Sequence, residues 1–465
     1  MKTVRDIMQE SAGFRFLINE ISFVSSPGRK LLYNRQMMTQ ADEIRQQLDL
    51  LEQMHILVQI PENNDPMNRI IHDLSGLKDI QLTISRLSSG EIADDIELFE
   101  IKQLALLNES IKAILKEIHC DLIRLPDLEN VVGLLDPENQ GIPHFYIYNA
   151  YSEALRELRL KIKQADLSST EVLETLRLQE LELEEEIRIS LSQKLRVFAD
   201  GLKVALEELS LLDVLIASAK WSIEMSLCKP EISDKDTQYE TLFNPAVKLF
   251  LTETGKEYQP VDIHFDKAPV LITGANMGGK TVLLQTVFIS QYLCQFGLFV
   301  PAKKAMISPV EAVYFNSEEN RTSQNGLSSF AEEMVQLNEM VKAVRSGKKV
   351  LALLDELART TNPDEGKAIV SSTLEFLAEQ KTSGLITTHY SGIRVECRKL
   401  RVRGLIHEKL TEKIHLKDLN RYMDYRLEEA AMNEAPAEGI RIAEILGMDE
   451  EIIRKAKLHY TGKKP

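Results

Sequence analysis

Val270-Leu271-Ile272-Thr273-Gly274-Ala275-Asn276-Met277-Gly278-Gly279-Lys280-Thr281 joins a short apolar run to a glycine-rich turn and then to a helix expected over Thr281–Phe296. The turn fits G-x-x-x-x-G-K-[ST] at every fixed position. Glycines let a backbone wrap closely around phosphate groups with its N–H groups pointing inward, and the following helix adds its positive N-terminal end. In such a loop Lys280 is expected to reach the β- and γ-phosphates and Thr281 to ligate Mg²⁺. A chance glycine-rich turn is the competing reading. The strand before it and the helix after it argue against that.

Working outward, Val350–Leu354 is an apolar run ending in Asp355 and Glu356. A buried strand that delivers an acid beside a phosphate loop is the expected source of the Mg²⁺ ligand, here Asp355 through a metal-bound water. Glu356 is then placed to take a proton from an attacking water or to orient it. Leu385–Thr388 ends in His389, which can hydrogen-bond a γ-phosphate or the lytic water, although a lone histidine is often structural. Further β-like runs at Val261–Phe265 and Ala312–Phe315 alternate with helical patterns at Ser329–Arg345 and Gly366–Glu379. Strands alternating with helices predict an α/β sheet with crossover connections. This domain is expected over 236–465.

From Met1 to about Met225 the sequence reads almost wholly as helix, with apolar residues three and four apart in Gln40–Val58, Ala93–Ile118 and Ser152–Ile162, and a helical domain is expected over 1–235. A charged stretch, Tyr151–Ala199, breaks near Ala165–Thr170. That predicts two helical arms joined at a tip near 161–183, a compact bundle being the other reading. A chain of 465 residues can bury the two cores this division requires. Cys120, Cys228, Cys294 and Cys397 form no CxxC pair, which suits a reducing cytosol and neither a disulfide framework nor a zinc site. The first residues lack an apolar signal segment and no run reaches membrane-span length. A cytoplasmic protein without membrane contact is expected. The formal net charge of −15 at pH 7 lowers the expectation of tight binding to duplex DNA, which usually needs a basic surface.

Taken together, these pieces resemble the ATPase domain of the MutS family, a branch of the ABC-type P-loop proteins. Asn276-Met277-Gly278-Gly279-Lys280 carries the likeness most specifically. The run from Asp355-Glu356-Leu357 through Arg359 to Gly366 resembles the family's Asp-Glu segment and D-loop, and Thr387-Thr388-His389-Tyr390 its switch. Asn325 to Met334 resembles the signature loop and helix, with Leu327 in place of the usual basic residue. The resemblance implies an α plus α/β chain: an N-terminal helical core with lever arms, then the ATPase domain with a small helical dimerisation element from Glu438 to Gly447 and Asp449 to Ala456. It also implies ATP and Mg²⁺ sandwiched in a homodimer, with Ser328 reaching across to the other subunit's nucleotide. Tyr258 sits where the family places an aromatic against adenine, and an ordinary core aromatic is the other reading.

Departures from the pattern bear on the client. Helices resembling the family core begin almost at the first residue, so the mismatch-reading and connector domains are expected to be absent, as is a C-terminal Smr nuclease. The clamp at the arm tip is expected to be reduced, and Tyr151–Asp200 carries eleven acidic residues against eight basic ones, where a DNA-gripping tip should be net basic. Three readings follow: an ATPase acting on a protein client, resembling the reactivases of cobalamin-dependent aminomutases; an ATPase recognising branched or mismatched DNA without classical mismatch reading; and a structural dimer with vestigial activity. Acidity and the short build favour the protein client. Family membership favours DNA.

Overall fold

The computed structural model describes residues 2–141, 144–164, 170–274, 278–316, 329–406, 422–430 and 439–461. It is α plus α/β, and it divides into two compact units. One comprises Met1–Glu20, Gln36–Asp49 and Ser222–Pro465; the other comprises Ile21–Arg35 and Leu50–Trp221. The expected division near residue 235 differs from this one, because two N-terminal segments group with the α/β part. The physical reason lies in the helix Lys280–Gln295. Phe14 packs edge-on against Tyr292 at 6.3 Å and against Phe296 at 6.0 Å. At the helix's end the Gln295 side-chain amide donates to the carbonyls of Met38 and Val310, both at 2.7 Å.

The described strands are β1 (Glu231–Ile232), β2 (Thr237–Leu242), β3 (Val261–Phe265), β4 (Pro269–Thr273), β5 (Lys304–Ile307), β6 (Ala312–Asn316), β7 (Val350–Leu354), β8 (Ser383–Thr387), β9 (Arg398–Leu405) and β10 (Met423–Glu429). Six of them form a sheet in the order β10-β9-β4-β8-β7-β6. Every neighbouring pair is parallel except β10 with β9. All five residues of β7 are buried, the pattern of a parallel strand covered on both faces. On one face Met340, Val344, Val370, Leu374 and Leu377 of the helices Ser329–Arg345 and Pro363–Glu379 pack against Leu271, Ala352, Leu354 and Ile386. A second sheet has the order β1-β5-β2-β3.

Five of these strands (β1, β2, β5, β9 and β10) carry no clear signal in the sequence. β9 and β10 show why. Arg398 pairs with Glu429 at 2.6 Å, Arg401 with Glu428 at 2.6 Å, and Arg403 with Glu428 at 3.1 Å. Each strand alone reads as a charged loop, and only their juxtaposition makes the ladder favourable.

The second unit is helical among its described residues. One of its long helices, Asp95–Glu117, opens on a capping box between Asp94 and Glu97 and buries Leu98, Ile101, Leu104, Ala105 and Ile111. In its middle lies Lys102, fully buried. The ammonium donates to Asp136 at 3.1 Å, to the His144 carbonyl at 2.9 Å and to the Tyr148 hydroxyl at 2.9 Å. The helices Glu153–Gln164 and Thr170–Leu195 flank the expected tip, of which residues 165–169 lie outside the described residues. Arg159 joins the pair, donating to Glu180 at 2.7 Å and Glu184 at 2.6 Å. Near the C-terminus the helices Gly439–Ile445 and Glu450–Thr461 fall where a small helical element was expected. Among the described residues no helix is long and apolar enough to cross a membrane.

Candidate active site

The parallel strands β4, β7 and β8 end on the same edge of the sheet, and each is followed there by candidate site residues. Such an edge, beyond the carboxyl ends of the strands, is where open α/β sheets hold ligands. Gly274 follows β4, Asp355 and Glu356 follow β7, and Thr388 and His389 follow β8. Gly278, Gly279, Lys280 and Thr281 bring the chain from the loop into its helix. Asn276, Met277 and Ser328 lie outside the described residues.

Lys280 is 4% exposed, and its ammonium donates to the Gly274 carbonyl at 2.9 Å while lying 4.0 Å from Glu356 Oε1. Burial pulls its pKa down, against the opposing pull of Glu356 and Asp355. The Thr281 hydroxyl donates to Asp355 Oδ2 at 2.6 Å. Two hard oxygen ligands thus lie side by side, the donor set that Mg²⁺ takes. Gly279 has φ +73°, and a Cβ there would come within 3.1 Å of the Tyr425 ring, so this turn tolerates little besides glycine. These residues fit a magnesium-bound triphosphate.

Thr387, fully buried, organises the two carboxylates. Its hydroxyl donates to Asp355 Oδ1 at 2.7 Å and accepts the Glu356 N–H at 2.8 Å. Glu356 itself has φ +46°, an uncommon backbone state for a non-glycine residue, and pairs with Arg359 at 2.9 Å. Thr387→Val should leave the half-buried Glu356 amide without its acceptor and cost about 1 kcal/mol. Urea unfolding of the two proteins measures this directly, and an unchanged midpoint would contradict it.

His389 reaches the surface with its ring 4.2 Å from that of Tyr390. Partial desolvation holds its pKa below the ordinary histidine value; Glu356 pulls the other way, while Arg359 and Lys280 add to the lowering. This shift favours the neutral ring. Tyr258 is half-buried. Its hydroxyl accepts the Asn244 N–H at 2.9 Å, and the Asn244 side-chain amide donates to Thr286 Oγ1 at 3.2 Å. That chain of bonds ties Tyr258 to the helix that starts at Lys280.

Sequence reasoning did not single out Thr387, Tyr425 or Gln259 as site residues. Gln259 donates to Asp424 at 3.0 Å and accepts the Tyr425 N–H at 2.9 Å, fastening β10 beside the loop. Thr387 entered only as the first residue of the run that resembles the switch, and Gln259 only as the neighbour of Tyr258. Tyr425 lies on a strand the sequence hid.

The family described as MutS domain V matches residues 270–462. The chain is 28% identical over 487 aligned residues to Endonuclease MutS2 of Caldanaerobacter subterraneus subsp. tengcongensis, covering 98% of this chain and 59% of that protein. It is 34% identical to Endonuclease MutS2 of Thermus thermophilus over 60% of this chain and 34% of the relative. It is 28% identical to DNA mismatch repair protein MutS of Clostridium perfringens over 59% of this chain and 30% of the relative. The chain thus spans between about a third and three fifths of the length of these relatives.

Proposed function

Since this chain belongs to the MutS family, we propose that it binds ATP with Mg²⁺ around Lys280 and Asp355, hydrolyses it, and couples the cycle to DNA. The observation that carries the reading is the convergence of Lys280, Thr281, Asp355 and Glu356 on one sheet edge, with the Thr281 and Asp355 oxygens 2.6 Å apart. Bound there, Mg²⁺ would neutralise charge on the phosphate oxygens. Lys280 contributes a buried positive charge toward the β- and γ-phosphates. Glu356 accepts the proton of the attacking water, and His389 orients that water. Tyr258 and Tyr425 flank the nucleotide. As the family resemblance implies, Ser328 of the partner subunit completes each site in a homodimer.

Acidity and short build had favoured a protein client such as an aminomutase. The similarities favour DNA instead, since the relatives are named for endonuclease and DNA mismatch repair roles. Two measurements test the proposal. Glu356→Gln should reduce phosphate release by about 10²-fold or more while ATP stays bound in a dimer; turnover at the wild-type rate would remove Glu356 from its role. Hydrolysis should rise when branched DNA is added at physiological salt. Stimulation by a purified aminomutase and not by DNA would reverse the choice of client.

A further inference from the structure

Two residues after Glu356 the backbone takes a second unusual turn, at Ala358, where φ is +58°. This residue is fully buried and has a side chain, so the left-handed state must be imposed by its surroundings. Both sides of it are held. The Ala358 N–H donates to Glu333 Oε1 at 3.1 Å. The Ala358 carbonyl accepts the Tyr390 hydroxyl at 2.7 Å. Glu333 is 2% exposed and lies on the helix Ser329–Arg345; the same Oε1 accepts the Asn316 side-chain amide at 2.7 Å. Tyr390 follows His389 after β8. Its seat is shaped by Gly366, where any Cβ would overlap the Tyr390 hydroxyl.

We propose that Glu333 and Tyr390 form a clamp on the Ala358 backbone that positions Glu356 and links the helix Ser329–Arg345 to the reacting carboxylate. The proposal rests on the nucleotide reading above for what Glu356 does, and on geometry alone for the clamp. Three elements meet at one residue: the helix through Glu333, the end of β8 through Tyr390, and the turn carrying Asp355 and Glu356. Beside the clamp an open cleft of about 450 Å³ is lined by Phe288, Tyr292, Phe315, Asn316, Glu333 and Leu357, among others. The helix Ser329–Arg345 borders this cleft through Glu333, and the hydrogen bonds at Ala358 would transmit a shift of that helix to Glu356. Glu333 and Tyr390 are positioning residues.

The test uses the whole chain with Tyr390→Phe, Glu333→Ala and Glu333→Gln, the last keeping an acceptor for the Ala358 N–H. Amide hydrogen exchange across residues 355–361, without nucleotide, should quicken about tenfold in the first two and stay near wild type in Glu333→Gln. Turnover of ATP should fall about tenfold or more in the first two, with affinity for a non-hydrolysable ATP analogue within about twofold, and Glu333→Gln should keep it within about threefold. Unchanged exchange in both Tyr390→Phe and Glu333→Ala overturns the clamp, whether or not the protein cleaves ATP. Faster exchange with undiminished turnover overturns its link to Glu356. A wild-type chain that binds no ATP overturns the nucleotide reading, and the exchange data still decide the clamp.

Discussion

Lys280→Ala abolishes ATP turnover in the expected outcome, with phosphate release reduced by about 10²–10³-fold or more. The reasoning starts from burial. An ammonium group only 4% exposed is costly to keep charged unless something charged needs it. Its neighbours supply part of that need, since Glu356 and Asp355 oppose the downward pull of burial on its pKa. The remainder would come from the charge of the phosphates proposed to bind there. Lys280→Arg should fail almost as completely, because a planar guanidinium does not fit where a compact ammonium sits between the Gly274 carbonyl and Glu356. Phosphate release at saturating ATP and Mg²⁺ measures both variants. Wild-type rates in Lys280→Ala would show that hydrolysis, if present, occurs elsewhere.

Lys102→Met is expected to have the largest effect on stability, about 3–5 kcal/mol for the helical unit. The substitution leaves Asp136, itself 3% exposed, as a buried charge without its cation. Burial works against this carboxylate, yet the Gly141 amide and Lys102 outweigh it and hold its pKa below the ordinary value of 3.8. For a carboxyl lowered by folding, the stabilisation is present above pH about 4 and is lost as acidification protonates it in the folded state. Lys102→Met should therefore flatten the acid limb of the stability curve as well as lower the plateau. Lys102→Met combined with Asp136→Asn should recover part of the loss, because the second change removes the stranded charge while keeping an acceptor for the Gly141 N–H. Denaturant unfolding at several pH values checks all three expectations; equal single and double variants would rule out the charge-pair account.

How much of this was legible in the sequence depended on how each element earns its burial. β4 and β7 are covered on both faces, so their apolar runs announced them, and the expected ranges for β3, β7 and the helix Ser329–Arg345 match those observed. β9 and β10 could not announce themselves, since their charged residues are satisfied by one another across the ladder. The compact units were also hidden. Phe14 and Met38 look like members of a helical N-terminal domain until Tyr292 and Gln295 are beside them. At the site, the sequence placed Lys280, Thr281, Asp355, Glu356 and His389 correctly relative to their strands and helix. It offered no sign of the left-handed backbone at Glu356 and Ala358. A glycine would have marked such turns, whereas a glutamate and an alanine are held there by contacts that include those of Thr387, Glu333 and Tyr390.

The helix that opens at Lys280 runs 16 residues, about 24 Å at 1.5 Å per residue, and its far end is bolted to the Met38 and Val310 carbonyls. A rod fixed at one end and loaded at the other has no slack. Whatever pushes on the ammonium end should be felt at the residues around Met38, which makes that remote spot a natural place to attach a reporter dye.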